Sequence, residues 1–152
     1  MKVDIVQQPP MRVAAVRHLG AYTTISEAFE KLSAIAATND LFTADSLMLG
    51  LYHDDPSTTA EKELRSDAAL TLNDGVKAPK GSAEMTVPAG RYARLTYTGP
   101  YDGLPEAWSE IMGWLEESGE QAGSGVSYEL YRNDPSDTAP EDLITELYLP
   151  LA

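Results

Sequence analysis

The chain has 152 residues, the size of a single domain, and 43% of them are hydrophobic, which is enough for a core. Its 11 basic and 24 acidic residues give a net charge of −13, which argues against a phosphate-binding surface and predicts no direct contact with nucleic acid. It contains no cysteine, no apolar run near 18 residues and no signal-peptide pattern, so we expect a cytoplasmic protein without disulfides or a membrane partner.

The first half of the chain, about residues 1–74, alternates between strand and helix patterns. Strands are predicted at Lys2–Gln7, Arg12–His18, Leu47–Tyr52 and Asp67–Leu72. An apolar stripe of helical period from Ala28 to Ala36 predicts one helix between the second and third strands. Thr24, with Glu27 three residues later, is predicted to begin this helix with a capping box, and Asn39 to end it.

The second half, about residues 81–152, repeats this order of elements. Strands are predicted at Ala83–Val87, Arg91–Thr98, Val126–Arg132 and Leu143–Leu149. A helix is predicted to begin near Pro105, a residue that suits the first helical turn, and to end near Gly119. The segment 73–80, which contains Gly and Pro, joins the two halves.

The two halves also match each other residue by residue. Leu51–Ala60 aligns with Leu130–Ala139, and the same register aligns Arg12–Asn73 with Arg91–Ala152 without a gap. We interpret this match as an internal duplication of a strand–helix–strand–strand module, each copy preceded by a short strand. The predicted fold is a single α+β domain over residues 1–152, with antiparallel sheets, two helices and a central groove on a pseudo-two-fold axis.

Two strands of the second half each carry a glutamate beside a tyrosine on one face. Glu129 and Tyr131 share a face of the third strand, while Glu146 and Tyr148 share a face of the fourth. If these strands are neighbours, we expect both carboxylates to line one wall of the groove. A buried carboxylate loses several kcal/mol of hydration, which it offsets by taking up a proton or by binding a cation. Aromatic faces add about 0.5–2 kcal/mol each to cation binding.

The predicted ligand-binding residues come from both halves. They are Glu129, Glu146, Tyr101, Trp108, Tyr131, Tyr148, Tyr52 and Gly50. Trp108 falls off the apolar stripe of its helix and is predicted to face the groove, and Gly50, which aligns with Glu129, leaves space opposite the acid. The alternative is that both glutamates face solvent, since charged residues are mostly exposed. No metal or other cofactor is expected, because cysteine is absent and the histidines lack metal-ligand spacing.

Several segments resemble a known family. They are Val13–Tyr22, Leu64–Ala68, Pro88–Ala93, Thr98–Tyr101, Tyr128–Tyr131 and Thr145–Leu151. The combination resembles the GyrI-like family, which includes the effector-binding domains of AraC- and MerR-type transcription regulators. The resemblance implies two paired modules whose groove binds small, often cationic and aromatic molecules. A helix-turn-helix does not fit beside them in this length, so a stand-alone version without the DNA-binding role is expected.

Three functional hypotheses follow. The first is a module that sequesters or senses a hydrophobic, cationic or aromatic small molecule, with Glu129 as the chief acid. The second is a hydrolase, because some proteins of the family hydrolyse cyclopropane-bearing DNA-alkylating compounds, and Glu129 with Tyr131 would then act as general acid and base. The third is interaction with DNA gyrase, which the family's namesake inhibits, or with a regulator protein.

Overall fold

The computed structural model describes residues 2–152, which form two compact units. The N-terminal unit is Pro10–Pro88, and the C-terminal unit combines residues 2–9 with Ala89–Ala152. In chain order the elements of the described chain are β1 (Val3–Gln8), β2 (Met11–Leu19), α1 (Ser26–Thr38), β3 (Met48–Tyr52), β4 (Arg65–Thr71), β5 (Ala83–Val87), β6 (Gly90–Thr98), α2 (Leu104–Ser118), β7 (Ser127–Tyr131) and β8 (Ile144–Pro150). The predicted α+β class, with antiparallel strands and two helices, is confirmed.

Each unit is a sheet of antiparallel strands with one helix packed on it. The C-terminal sheet has the strand order β1-β6-β8-β7, and the N-terminal sheet has the order β3-β4-β2-β5. In both units the helix follows the second strand of its half, so the same order of elements recurs. The internal duplication itself stays an interpretation of the sequence match.

The opening strand of each half joins the sheet of the other half. β1 precedes the first half but pairs with β6, with Val3 opposite Leu95. β5 precedes the second half but pairs with β2, with Glu84 opposite Ala14. The sequence pattern predicted an opening strand before each half but contained no information about its partner, because strand pairing is a long-range contact.

Helix α2 is placed by local signals at its ends and by its apolar face. Pro105 lies in the first turn, as predicted, and Gly119 ends the helix with φ of 79°, a left-handed conformation that favours glycine. Ala107 and Ile111 are fully buried and pack with Leu147 of β8 in one hydrophobic cluster. This packing covers one face of the C-terminal sheet with α2.

The predicted start of α1 is wrong. The chain first makes a 3-10 turn at Tyr22–Thr24, and α1 begins only at Ser26 with Ile25 as its N-cap residue, without a side-chain cap. The Thr24 hydroxyl donates instead to the Ala21 carbonyl at 2.9 Å and also contacts the His18 ring. Because Thr24 is used in the turn, it does not form the capping box with Glu27. Neither helix of the described residues has the length and apolar character needed to cross a membrane.

Candidate functional site

Strand β7 carries Glu129 on the face that α2 covers. Tyr128 and Leu130 are buried on the opposite face, as the alternation of a strand requires. Glu129 lies directly opposite Leu147 in the β7–β8 pairing, and Leu147 packs against α2. The local alternation and this register together place the carboxylate between the sheet and the helix.

The Glu129 carboxylate is buried and hydrogen-bonded by two aromatic residues. Glu129 is only 5% exposed. The Trp108 indole N–H donates to Oε2 at 2.7 Å, and the Tyr131 hydroxyl donates to Oε1 at 2.7 Å. Hydrogen bonds to a charged group contribute about 1.5–3 kcal/mol each, which offsets much of the several kcal/mol of lost hydration. Both donors are neutral groups that orient the carboxylate.

A third aromatic residue extends this cluster. The Tyr101 ring lies 5.5 Å from the Tyr131 ring, at an interplanar angle of 59°. Burial raises the pKa of the Tyr101 hydroxyl, and the negative charges of Asp134 and Glu129 raise it further. Tyr101 is therefore a neutral phenol at physiological pH. We call Glu129, Trp108, Tyr131 and Tyr101 the Glu129 cluster.

The prediction that Glu129 and Glu146 line one wall is wrong. Strands β7 and β8 are neighbours, as expected, but Glu146 pairs with Leu130 and so lies on the opposite face of the sheet from Glu129. There it accepts hydrogen bonds from Arg132 at 2.8 Å and from Tyr148 at 2.7 Å. Burial alone would raise the pKa of Glu146, but the hydrogen bonds from Arg132 and Tyr148 outweigh it and the pKa is lowered.

Tyr148 belongs with Glu146 on that opposite face. Its ring stacks on Tyr128 at 4.5 Å and meets Tyr92 edge-on at 6.1 Å. Tyr148 is almost fully buried among these rings. The arrangement neutralises Glu146 with a nearby guanidinium and surrounds Tyr148 with aromatic partners, which is the pattern of a structural cluster. A role of Glu146 or Tyr148 in ligand binding stays a prediction that this geometry does not favour.

The two remaining predicted residues lie in the N-terminal unit, on β3. Gly50 is buried and lies opposite Ala68 of β4. The Tyr52 ring meets the Tyr22 ring edge-on at 4.9 Å. Their part in ligand binding stays a prediction.

Comparisons with known proteins agree with the resemblance of the sequence segments. The model of one family, described as the GyrI-like small molecule binding domain, matches residues 1–152. The chain belongs to the GyrI-like family. A relative from Yersinia enterocolitica, named DNA gyrase inhibitor, is 31% identical over 140 residues, which cover 88% of this chain and 88% of the relative.

Two solved structures share the fold of this GyrI-like domain at low sequence identity. The C-terminal domain of EcmrR superposes with a TM-score of 0.82 at 19% identity, over 99% of this chain and 97% of that one. SAV2435 bound to tetraphenylphosphonium superposes with a TM-score of 0.74 at 16% identity, over 100% of this chain and 94% of that one. Both superpositions show that these proteins share the fold of this chain.

One charged cluster of this GyrI-like domain was not predicted. On β4, the residue Asp67 is 1% exposed, and its carboxylate is hydrogen-bonded by Arg17 at 2.7 Å and by the His53 ring. Burial alone would raise the pKa of Asp67, but the bonds from His53 and Arg17 lower it. The alignment of the two halves contained a signal for this cluster, because it pairs Asp67 with Glu146 and His53 with Arg132.

Proposed function

We propose that this GyrI-like domain binds a hydrophobic organic cation and that Glu129 supplies the negative charge that faces it. The observation that supports the proposal is the geometry of the Glu129 carboxylate, which is buried and held by the neutral donors Trp108 and Tyr131. Glu146 forms an ion pair with Arg132 at 2.8 Å.

The physical argument is that a buried charge held by neutral groups still attracts an opposite charge. At a separation of about 5 Å and an effective dielectric constant of about 20, two unit charges attract by about 3 kcal/mol. A cation near the rings of Trp108, Tyr131 and Tyr101 gains a further contribution of about 0.5–2 kcal/mol from each suitable aromatic face. A flat or branched aromatic cation gains both the charge attraction and the contribution of the aromatic faces. Its own rings also bury apolar area.

Net charge and the structural relatives point in the same direction. A net charge of −13 favours the approach of cations over anions. SAV2435, which shares the fold, is bound to tetraphenylphosphonium. That cation is therefore a suitable probe for this chain, and tetraphenylborate is its counterpart of nearly the same size with the opposite charge.

The decisive experiment is isothermal titration calorimetry with these two probes. We expect tetraphenylphosphonium to bind and tetraphenylborate not to bind. In Glu129→Gln the affinity for tetraphenylphosphonium should fall about 10- to 100-fold, because the attractive charge is lost while the size of the side chain is kept. Glu146→Gln is the matched control: it makes the same chemical change on the neighbouring strand, on the opposite face of the sheet, and should change the affinity less than about twofold.

Tryptophan fluorescence provides a second readout close to the proposed site. The chain has two tryptophans, so Trp114→Phe leaves Trp108, the hydrogen-bond partner of Glu129, as the sole tryptophan. Tetraphenylphosphonium should change the Trp108 emission in this background, and Glu129→Gln should remove that change. Equal binding of both probes, or equal affinity of wild type and Glu129→Gln, would contradict the proposal.

A second candidate function is modulation of DNA gyrase, which is supported by the name of the Yersinia enterocolitica relative at 31% identity. An inhibitor acting through its protein surface should slow DNA supercoiling by a purified bacterial gyrase, and Glu129→Gln should inhibit as well as the wild type. Unchanged supercoiling at a large molar excess of the protein would remove this candidate. The two functions are separable, because only cation binding depends on Glu129.

A further inference from the structure

One hydroxyl near the Glu129 cluster is buried without a hydrogen-bond partner. Thr145 of β8 is 0% exposed, and its Oγ1 meets no partner among residues 2–152. A buried hydroxyl without a partner is destabilising, because its lost hydration is not replaced. Valine has nearly the same shape as threonine and lacks this hydroxyl.

The position of Thr145 places this hydroxyl beside the proposed cation site. In the sheet, Thr145 lies directly opposite Tyr131 of β7 and directly opposite Tyr97 of β6. Thr145 therefore shares the helix-covered face with Glu129, which lies diagonally across the β7–β8 pair. Side chains in such diagonal positions lie within reach of one another.

The hydroxyls of the two flanking tyrosines are engaged elsewhere. Tyr131 donates to Glu129 at 2.7 Å, and Tyr97 donates to the Pro100 carbonyl at 2.7 Å. Tyr131 is only partly buried whereas Thr145 is fully buried. A ligand that reaches Glu129 on the helix-covered face, beside the Tyr131 ring, therefore also reaches the position of the Thr145 hydroxyl, which has no partner within the described residues.

We propose that Thr145 is a specificity-determining residue that selects cations carrying a hydrogen-bonding group. This inference rests on the proposed function, with Glu129 binding the charge of the ligand. The Thr145 hydroxyl then bonds a hydroxyl or amino group on an aromatic ring of the same ligand. The preferred class is an aromatic cation with a phenol or aniline group, rather than one that carries hydrocarbon rings alone.

The test compares two probes that differ by one hydroxyl, tetraphenylphosphonium and (4-hydroxyphenyl)triphenylphosphonium. In the wild type we expect the hydroxylated probe to bind about 5- to 10-fold more tightly, the size of one hydrogen bond gained. In Thr145→Val the ratio of the two dissociation constants should fall to about 1, while Thr145→Ser, which keeps a hydroxyl, should restore the preference. Calorimetry on the full chain measures both constants.

Thermal unfolding supplies a readout that does not depend on a ligand. Thr145→Val should raise the melting temperature of the free protein, because it removes a buried hydroxyl that has no partner. A lower melting temperature of Thr145→Val would overturn the inference, since the hydroxyl would then have a structural partner. A ratio of dissociation constants that is the same in wild type and Thr145→Val would overturn it as well. If neither probe binds the wild type, the proposed function fails first and the inference fails with it.

Discussion

The two units of the chain have the same order of elements, but only the C-terminal unit has an acid at one aligned position on the helix-covered face of its sheet. In the C-terminal unit that position is Glu129, and in the N-terminal unit the aligned residue is Gly50. The aromatic residues around them are kept, since Tyr22 aligns with Tyr101 and Tyr52 with Tyr131. Tyrosine rings are in contact in both units, at 4.9 Å and 5.5 Å between centroids.

The tyrosine pair therefore occurs in both units, with the acid in one unit and without it in the other. Phe29 of α1 aligns with Trp108 of α2, and phenylalanine lacks the N–H that Trp108 donates to Glu129. The C-terminal unit thus has both the acid and the indole donor that holds it, and the N-terminal unit has neither. The chemistry of the site depends on these side chains rather than on the fold that both units share.

On the opposite face of the sheet, the two units resemble each other. There each unit has a carboxylate, Asp67 or Glu146, and each carboxylate is bonded by an arginine, Arg17 or Arg132. A carboxylate paired with a guanidinium is neutralised and contributes to the structure. The comparison therefore separates two kinds of buried acid, one neutralised by a cation and one held by neutral aromatic donors.

The largest effect is expected from placing the missing acid into the N-terminal unit. Gly50→Glu buries a carboxylate on β3 next to Phe29's helix, without an indole donor, and should lower the free energy of unfolding by about 3–5 kcal/mol. Adding Phe29→Trp should recover about 1 kcal/mol, because the indole N–H can bond the new carboxylate. Urea unfolding measures both changes. Gly50→Gln is the control of equal size without charge, and equal stability of the Glu and Gln variants would contradict this view.

An intermediate effect is expected at the neutralised carboxylates. Asp67→Asn should lower the free energy of unfolding at pH 7 by about 2–3 kcal/mol, and Glu146→Gln by about 1–2 kcal/mol. Asp67 should matter more because its side chain is 2% exposed, whereas that of Glu146 is 12% exposed.

The pH dependence gives these two variants a sharper test. The pKa values of Asp67 and Glu146 are lowered in the folded protein, so their stabilisation is present above the unfolded values of about 3.9 and 4.3. It is lost as the pH falls through the folded pKa values. The difference between wild type and each variant should therefore shrink in acid below about pH 4. Urea titrations between pH 7 and pH 3 measure it, and a constant difference would show that the carboxylate charge does not contribute.

The smallest effect is expected from removing single tyrosine hydroxyls. Tyr131→Phe deletes a donor to Glu129 and should lower the free energy of unfolding by about 1–2 kcal/mol. Tyr97→Phe, which deletes a donor to the neutral Pro100 carbonyl, should have a smaller effect because hydrogen bonds to charged groups contribute more. Urea unfolding compares the two variants, and a larger effect at Tyr97 would reverse the comparison. The hydrolase hypothesis names Tyr131 as well, so the same variant should lose turnover of an electrophilic cyclopropane if that hypothesis is right.

The local features of the fold were predictable from the sequence. The apolar period located both helices, Pro105 and Gly119 marked the ends of α2, and the alternation of β7 placed Glu129 and Tyr131 on one face. The position of Trp108 off the apolar stripe predicted that it faces the groove, which stays a prediction, and the sequence did not indicate its bond to Glu129. The capping box at Thr24 was not correct, because a preceding 3-10 turn uses its hydroxyl.

By itself the sequence determined what lies along each element, namely which residues share a face and where a helix or strand ends. Those properties depend on periods of 2 and 3.6 residues and on single Pro and Gly residues, and all of them act over a few neighbours. Only the tertiary structure decided that β1 and β5 exchange partners, that Glu146 turns away from Glu129 and that Arg132 rather than a ligand neutralises it. The reason is that strand pairing and register are contacts between distant segments, and a shift of one residue moves a side chain to the other face of the sheet.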